Sequence, residues 1–580
     1  MRIFIFALLL QFAIPLAEAQ DIPARIPRRA STQLLDGFGM NVNLPRQPRM
    51  PWTKTWTPIF DCGVKWVRIG QYENSSEQTS WDWVEQTRGH YAVPEAAEEA
   101  VRSLVDNGVS IEVQLQYSNP LYSEDVSKRP DHVTLPPPGI GQNQEPLNPI
   151  YFAPKTDEQI EAFLGYVRFM VGHFKGRIKY WELWNEPNIG YWRPDIEKTE
   201  KAKWYGRVLC RFADAVHSTD PDAKVMFSGV ADADVKFVAN ALPACPEKID
   251  IQAYHSYPGG PFGVGKDPEE IDLHYHGADL RKMVKSLPGI RQNLEFWLNE
   301  WGINAKAEGS NQSIQARYVP RFFLEQSANG IRPFLWEFMS ATDGNEDNRM
   351  GILEGDTQGP DAFRPRESYF SFENLSAVFG QAVRDPGGED ALGKVEGHAS
   401  SEVRAYWFRD RASGRRVFAY WLAVPADPRD KLKPVIAELT IADTTITKPA
   451  LMDIRTGEIR QLQWLDQAKR TVRVPVKDNV MAVADAQYID WTEVPLSPGE
   501  LVAERRGDQI ALHWKSSPGT LRYEIQRSDD FKPWIGAGDV GAPAIQISAP
   551  SSDAHRSTFR VRAKNANGAS PWSNPAWIGQ

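Results

Sequence analysis

Between residues 33 and 375 short apolar, β-rich runs alternate with longer stretches whose apolar residues recur at helical spacing. The runs Gly37–Asn43, Trp66–Gly70, Ser110–Leu115, Ile178–Trp184, Lys224–Ser228, Ile249–Ala253, Leu294–Leu298 and Pro333–Phe338 predict eight strands. The pattern predicts helices over Glu95–Asp106, Asp157–Phe174 and Thr199–His217. A hinge recurs at Asp61-Cys62-Gly63-Val64, Asp106-Asn107-Gly108-Val109 and Asn329-Gly330-Ile331, where Gly closes a helix and a strand begins. Eight strands alternating with helices predict an α/β fold, a (β/α)8 TIM barrel over 33–375 with long loops on its top face. An open doubly wound sheet is the weaker alternative, because no Gly-rich phosphate turn follows the first strand.

After about residue 376 the helical period disappears. Val403–Phe408, Arg416–Leu422, Val435–Ile441 and Thr471–Val474 alternate like half-buried strands, which predicts an antiparallel β-sandwich over 376–490. The segment 20–32, ahead of the barrel, is a candidate to complete it. Residues 494–580 carry further short strands at Gln509–Trp514, Arg522–Arg527 and Thr558–Ala563. Trp514, Tyr523, the run Phe559–Gly568 and Ser570-Pro571-Trp572-Ser573 resemble a fibronectin type III domain. The corner tyrosine of such domains falls at Phe559, which lacks the hydroxyl. The resemblance implies a spacer, with no chemistry assigned to it.

Residues 1–19 read as a secretory signal peptide: Arg2, an apolar run from Ile3 to Leu16 broken by one Gln, and the small-x-small signal Ala17-Glu18-Ala19. The apolar stretch is shorter than the roughly 20 residues that span a bilayer. The mature chain is therefore expected to be secreted or periplasmic, without membrane insertion. Export makes disulfides available to the 3 cysteines. Cys62 reads as a buried free thiol, and the pairing of Cys210 with Cys245 is left open by sequence. Asn74, Asn311 and Asn374 begin N-x-S sequons.

Composition narrows the class. Hydrophobic residues are 42% and charged residues 24%, a globular balance. A net charge of −9 argues against a nucleic-acid partner, which usually advertises a basic face on its binder. Trp is used heavily, with 20 in 580 residues, 12 of them within 1–375.

Two segments carry the chemistry. In Tyr180-Trp181-Glu182-Leu183-Trp184-Asn185-Glu186-Pro187-Asn188, Pro187 cannot continue a strand, so the strand is expected to end at Glu186, on the rim where barrels keep catalytic groups. In Phe296-Trp297-Leu298-Asn299-Glu300-Trp301-Gly302 an apolar strand again ends in an acid, by strand count the seventh against the fourth. Two carboxylates facing each other across a barrel mouth suit glycosidic cleavage: one protonates the leaving oxygen, the other attacks the anomeric carbon or activates water. The competing reading, a strand cap or a structural salt bridge, weakens because both acids share the same setting. Glu182, two steps back on the strand, is expected below the site, bonded inside the barrel.

Trp184-Asn185-Glu186-Pro187-Asn188 with Tyr191-Trp192, and Asn299-Glu300-Trp301-Gly302, resemble the acid/base and nucleophile signatures of glycoside hydrolase family 39, of clan A, across 33–375. The resemblance implies a retaining double displacement with Glu186 as acid/base and Glu300 as nucleophile. It implies that Asn185 bonds the sugar 2-hydroxyl, that Arg68 keeps the nucleophile ionised, that His255 and Tyr257 belong to strand 6 with Tyr257 donating to Glu300, and that Trp336 forms the floor of the sugar subsite. It implies a carbohydrate as partner, and neither a metal nor a cofactor. Substrate readings are a β-xyloside, an extracellular polysaccharide cut internally, or an α-L-iduronidase-like uronide. The reading from another class is a non-catalytic carbohydrate-binding protein on a barrel scaffold. Trp192, Tyr117 and Tyr122 lie in top-face loops, where they either stack on sugar rings or pack the loops themselves. Trp184, Trp192, Trp301 and Trp336 are expected to line part of the cleft.

Three weaker patterns take bland readings. Asp343-Gly344-Asn345-Glu346-Asp347 with Glu354 has calcium-loop spacing but lacks the central Gly and flanking helices, and reads as a polar loop. His274-Tyr275-His276 offers no third metal ligand. The Gly-rich run Gly259–Lys266 lacks P-loop spacing and reads as a loop over the cleft.

Overall fold

The computed structural model describes residues 23–42, 56–70, 79–133, 152–257, 267–270, 276–305, 311–340, 350–354, 364–386, 391–549 and 554–579. The signal-peptide segment, Asn74, His274, Tyr275 and the runs Gly259–Lys266 and Asp343–Asp347 lie outside them.

Eight parallel strands close into a barrel: β1 (Gly39–Asn41), β2 (Trp66–Ile69), β3 (Ser110–Leu115), β4 (Tyr180–Leu183), β5 (Lys224–Val230), β6 (Ile251–His255), β7 (Glu295–Trp301) and β8 (Ile331–Leu335). Closure is made by β1 against β8, where Gly39 pairs with Phe334. A Cβ on Gly39 would sit 2.4 Å from the Phe334 ring, so only glycine allows this approach. The helices Glu95–Asp106, Asp157–His173, Lys198–Thr219, Gly277–Ser286, Gln312–Ala328 and Glu367–Phe379 cover the outside. The second is started by a capping box, in which the Thr156 hydroxyl accepts from Gln159 N and the Gln159 side chain accepts from Thr156 N. Gly63, Gly108 and Gly330 have φ of 80°, 70° and 73°, which is the left-handed turn that the recurring hinge predicts. The helix Glu367–Phe379 runs past residue 375, so the barrel's last element extends beyond the boundary read from sequence.

The barrel's lower end is plugged by aromatics. Trp66 packs edge to face on Tyr180 and Trp297, Trp297 stacks on Phe334, and the Arg332 guanidinium lies 4.3 Å from the Trp66 ring centroid.

Behind the barrel, a six-stranded and a four-stranded antiparallel sheet enclose a second core around Trp407, Phe418, Tyr420, Val474 and Val483. The chain ahead of the barrel joins the larger sheet at one bridge, with Ile26 N donating to Gly457 O at 2.8 Å and Ile459 N to Ala24 O at 3.1 Å. Barrel and sandwich are locked by Arg321, whose guanidinium meets both Glu269 oxygens at 2.8 and 2.6 Å while Trp421 Nε1 donates to the same carboxylate at 2.6 Å. Residues 499–579 form two further antiparallel sheets around Ile510, Trp514, Tyr523, Phe559 and Val561. This unit docks on the helix Glu95–Asp106. Arg556 binds Glu99 at 2.6 Å, Arg560 binds Asp106 at 2.6 Å, and Trp534 Nε1 donates to Asp106 at 2.8 Å. Arg102 and Arg560 each lie 4.1 Å from the Trp534 ring. Such a seam holds the unit against the barrel. No described helix is long and apolar enough to cross a membrane.

Cys210 and Cys245 are disulfide-bonded, tying the helix Lys198–Thr219 to the segment before β6, and Cys62 is a buried free thiol. The bond closes a loop 35 residues apart in sequence, so the Cys210→Ser, Cys245→Ser double variant is expected to lose about 3–4 kcal/mol in urea unfolding. A second prediction concerns pH. Burial pushes Glu325, in the barrel–sandwich seam beside Tyr406, up to about 7 from 4.5. The folded state thus holds a proton that the unfolded chain has lost, so stability present below pH 4.5 is lost as pH rises through 7. Glu325→Gln is therefore expected to stabilise by on the order of 2 kcal/mol at pH 8 and by almost nothing at pH 4.5, read by urea midpoints at the two pH values.

Candidate active site

Strand alternation would turn Asn299 and Glu300 to opposite faces of β7. The register of β7 against β8 shifts between Leu298 and Trp301, and β6 against β7 shifts between Tyr254 and His255. Both side chains therefore reach the barrel interior, which is the local re-aiming that irregular pairing permits. A third shift, between Phe227 and Val230 on β5, brings Gly229 under the site. On the opposite wall β4 ends at Leu183, earlier than Pro187 alone required. Trp184 and Glu186 take φ of 68° and 40°, so the chain coils at the rim and Glu186 sits three residues past the strand rather than at its end. Glu186 N is held by Gly229 O at 3.1 Å.

At the centre lies Arg68, fully buried at the end of β2. Its Nε donates to Glu182 at 2.8 Å and lies 3.2 Å from Glu112. Its Nη1 donates to Glu300 Oε1 at 2.6 Å and to Asn41 at 3.2 Å, and its Nη2 to Asn185 Oδ1 at 3.2 Å. The other Glu300 oxygen accepts from Tyr257 OH at 2.8 Å. His255 Nδ1 lies 2.9 Å from Glu186 Oε1 and 3.4 Å from Glu300 Oε2. One oxygen of each glutamate and a ring nitrogen of His255 all fall within 4.8 Å of one another.

The two acids are pushed in opposite directions. Burial lifts Glu186 above the ordinary carboxylate value, against the hydrogen bond and charge of His255. Burial also raises Glu300, but the charges of His255 and Arg68 and the bonds from Tyr257 and Arg68 outweigh it and hold Glu300 low. Glu186 keeps 14% of its side chain exposed and Glu300 8%, so both can meet a ligand from the mouth.

Asn185 accepts from Arg68 and from Gln114 Nε2 at 3.1 Å, which orients its amide NH2 as the remaining donor. Glu182 is buried beneath the acids and bonded to Arg68, Asn299 and Gly229 N, as expected. Trp336, just past β8, keeps 8% of its surface. The expected Trp-lined cleft is corrected here. Trp184, Trp192 and Trp301 have no exposed surface. Trp192 packs edge to face on Trp184 and Tyr205, and Trp301 stacks at 4.1 Å on Phe322 of the helix Gln312–Ala328. Tyr117 is 5% exposed against Trp184, and Tyr122 stacks on Trp81 while its hydroxyl donates to Glu85 at 2.6 Å. These rings build the wall behind the site, because the coiled segment after β4 must cover its own apolar underside.

Sequence reading missed Asn41, Glu112 and Gln114. The last two had a signal: in Ile111-Glu112-Val113-Gln114-Leu115-Gln116 every second residue is polar, which on a strand with a covered outer face aims Glu, Gln and Gln at the barrel interior. The trio Glu186, His255 and Glu300 could geometrically hold a cation. It fits one poorly, because Arg68 and Tyr257 already engage both oxygens of Glu300.

No family model matches the chain, and no curated protein is similar to it in sequence. Among solved structures, a family 39 glycoside hydrolase from the gut symbiont Bacteroides cellulosilyticus WH2 superposes at a TM-score of 0.55 with 18% identity, covering 78% of this chain and 81% of that one. At this identity the likeness establishes the fold, a (β/α)8 barrel followed by β domains. An α-L-arabinofuranosidase from Thermotoga maritima matches at 0.48 with 12% identity over 79% and 97% of the two chains, too loosely to carry an argument.

Gly229 offers a test of the packing. A Cβ there would lie 2.0 Å from His255 Nε2 and 2.7 Å from Asn299 Oδ1. Gly229→Ala is expected to fold with a loss of about 1–3 kcal/mol in urea unfolding, and to shift the His255 ring signals in NMR, since neither neighbour can retreat in a closed barrel.

Proposed function

We propose that this protein is a retaining glycoside hydrolase, with Glu186 as acid/base and Glu300 as nucleophile. The observation that carries the reading is the pair of carboxylates with oxygens within 4.8 Å and opposite displacements of proton affinity. Retaining enzymes hold their carboxyls roughly 5–5.5 Å apart, whereas inverting ones need about 6.5–9.5 Å to admit water between them.

In the first half-reaction Glu186, kept protonated by burial, gives its proton to the leaving glycosidic oxygen while Glu300 attacks the anomeric carbon. A covalent glycosyl ester forms at Glu300 and the aglycone departs as an alcohol. His255 Nδ1, 2.9 Å from Glu186 Oε1, is within hydrogen-bonding reach of the new anion at Glu186. In the second half Glu186 takes a proton from water, which attacks the anomeric carbon, and Glu300 leaves as carboxylate with Arg68 and Tyr257 to receive its charge. Asn185 is placed to donate to a sugar hydroxyl beside the reacting centre. The substrate reading nearest the family resemblance is a β-xyloside or an extracellular polysaccharide. Export fits the Cys210–Cys245 bond, since such bonds persist in oxidising compartments.

The test is a panel of aryl glycosides and polysaccharides with product anomers followed by NMR. Glu300→Gln is expected to lower kcat by at least 10³-fold on every substrate cleaved. Glu186→Gln is expected to spare 2,4-dinitrophenyl glycosides, whose leaving group needs no proton, and to be rescued by azide with formation of a glycosyl azide of retained configuration. Full activity of Glu300→Gln, or a first product of inverted configuration, would refute the assignment.

A further inference from the structure

Beneath the two reacting glutamates lies a second pair of acids to which the reaction assigns no step. Glu182 of β4 and Glu112 of β3 are both fully buried. They share one cation, because Arg68 Nε is 2.8 Å from Glu182 and 3.2 Å from Glu112. The same guanidinium must serve Glu300 at 2.6 Å. One positive charge thus faces three carboxyls in a closed interior, and full ionisation would leave two negative charges there without compensation.

Their donors are unevenly divided. Glu182 accepts from Gly229 N at 2.7 Å, Asn299 Nδ2 at 3.2 Å and Arg68 Nε at 2.8 Å. Glu112 Oε1 accepts from Asn299 Nδ2 at 2.9 Å and faces Arg68, while its Oε2 is buried with no donor from any described residue. The Glu112 and Glu182 carboxyls stand side by side, since both accept from the one Asn299 Nδ2 and both face Arg68 Nε. A proton on the buried, donorless Glu112 Oε2 removes one of the two uncompensated charges.

We propose that Glu112 and Glu182 hold a single shared proton, resident on Glu112 Oε2 and donated to Glu182, and that this makes Glu112 a positioning residue that fixes the charge Arg68 can offer to Glu300. With the proton in place Arg68 balances Glu182 and retains attraction for one more anion, which is Glu300. The remaining charged or titratable groups around the pair are His255 from β6, Glu186 beyond it, Tyr257 on Glu300, and Tyr205, whose hydroxyl bonds Leu183 O and Ser228 N beside Glu182. Asn299 makes the link mechanical as well: its NH2 bridges Glu112 and Glu182, and its neighbour in β7 is Glu300.

The inference about the proton stands without the hydrolase reading; its effect on turnover rests on it, so the experiment has two arms. In the first, infrared difference spectra at pH 7 compare the full-length protein with Glu112→Gln and Glu182→Gln, both isosteric. Each variant is expected to lose one protonated-carboxyl carbonyl band, the first by removing the acid and the second because the acid left alone beside Arg68 ionises. A Glu112→Gln spectrum with no such loss would overturn the proposal, whatever the protein hydrolyses. In the second arm, kcat/KM for 4-nitrophenyl β-D-xyloside is followed against pH. Each single variant leaves one anion on Arg68, so the acidic limb should stay in place. The double variant leaves none, so the limb should move about one pH unit lower. A shift in Glu112→Gln as large as in the double variant would show two ionised acids and defeat the proposal. Failure to cleave any glycoside would count against the hydrolase reading, with the infrared arm still deciding the proton.

Discussion

One buried guanidinium organises this molecule. Arg68 is taken fully out of water, a state that is tolerable only when its charge and its donors are matched. Its partners come from β1, β3, β4 and β7 and from the rim after β4: Asn41, Glu112, Glu182, Glu300 and Asn185. No local stretch of chain could supply them. Closing the barrel and neutralising the arginine are therefore the same event, and the position of the nucleophile candidate follows from it.

The surrounding architecture repeats this device at lower cost. Arg321 with Glu269 and Trp421 fastens the sandwich to the barrel, and Arg556, Arg560 and Arg102 with Trp534 and Trp572 fasten the last domain to the helix Glu95–Asp106. At the sandwich these polar contacts flank an apolar core shared with the barrel, where Phe379 packs against Phe408, so they fix the docking of faces that apolar burial already joins. Tryptophan serves those seams and the barrel walls more than the cleft. Trp66 and Trp297 plug the lower end, and Trp184, Trp192 and Trp301 support the rim from behind. A ring that stacks on another ring beneath a functional group holds it stiffly, which matters where two carboxyls must keep a fixed spacing.

Much of the fold was legible in the residues because its signals are local. Each strand of the barrel overlaps an apolar run, with β8 at Ile331–Leu335 sharing only its last three residues with the run that starts at Pro333, and the helix-closing glycines carry the positive φ that their sequence context predicts. Glu186 and Glu300 were legible for a related reason: two acids, each preceded by Asn and each closing an apolar run, make a cap or structural salt bridge the weaker reading, and Pro187 marks where the ladder stops. Strand ends were less so. Glu186 lies beyond β4 and Glu300 lies within β7, because the rim coils on one side and the register slips on the other, and both depend on neighbours distant in sequence.

By itself the sequence determined the barrel, the order of its domains and the two acids that face its mouth, since periodicity, turn residues and strand-end chemistry are properties of short windows. Tertiary structure alone decided which acid has its proton affinity raised and which has it lowered. Glu112 and Glu182 look like ordinary strand residues until β2, β3 and β4 bring them to one guanidinium. Trp192 looks like a sugar platform until Trp184 and Tyr205 enclose it. The physical reason is the same in each case: proton affinity and burial are set by what stands within a few ångströms, and in a closed barrel those neighbours come from strands far apart along the chain.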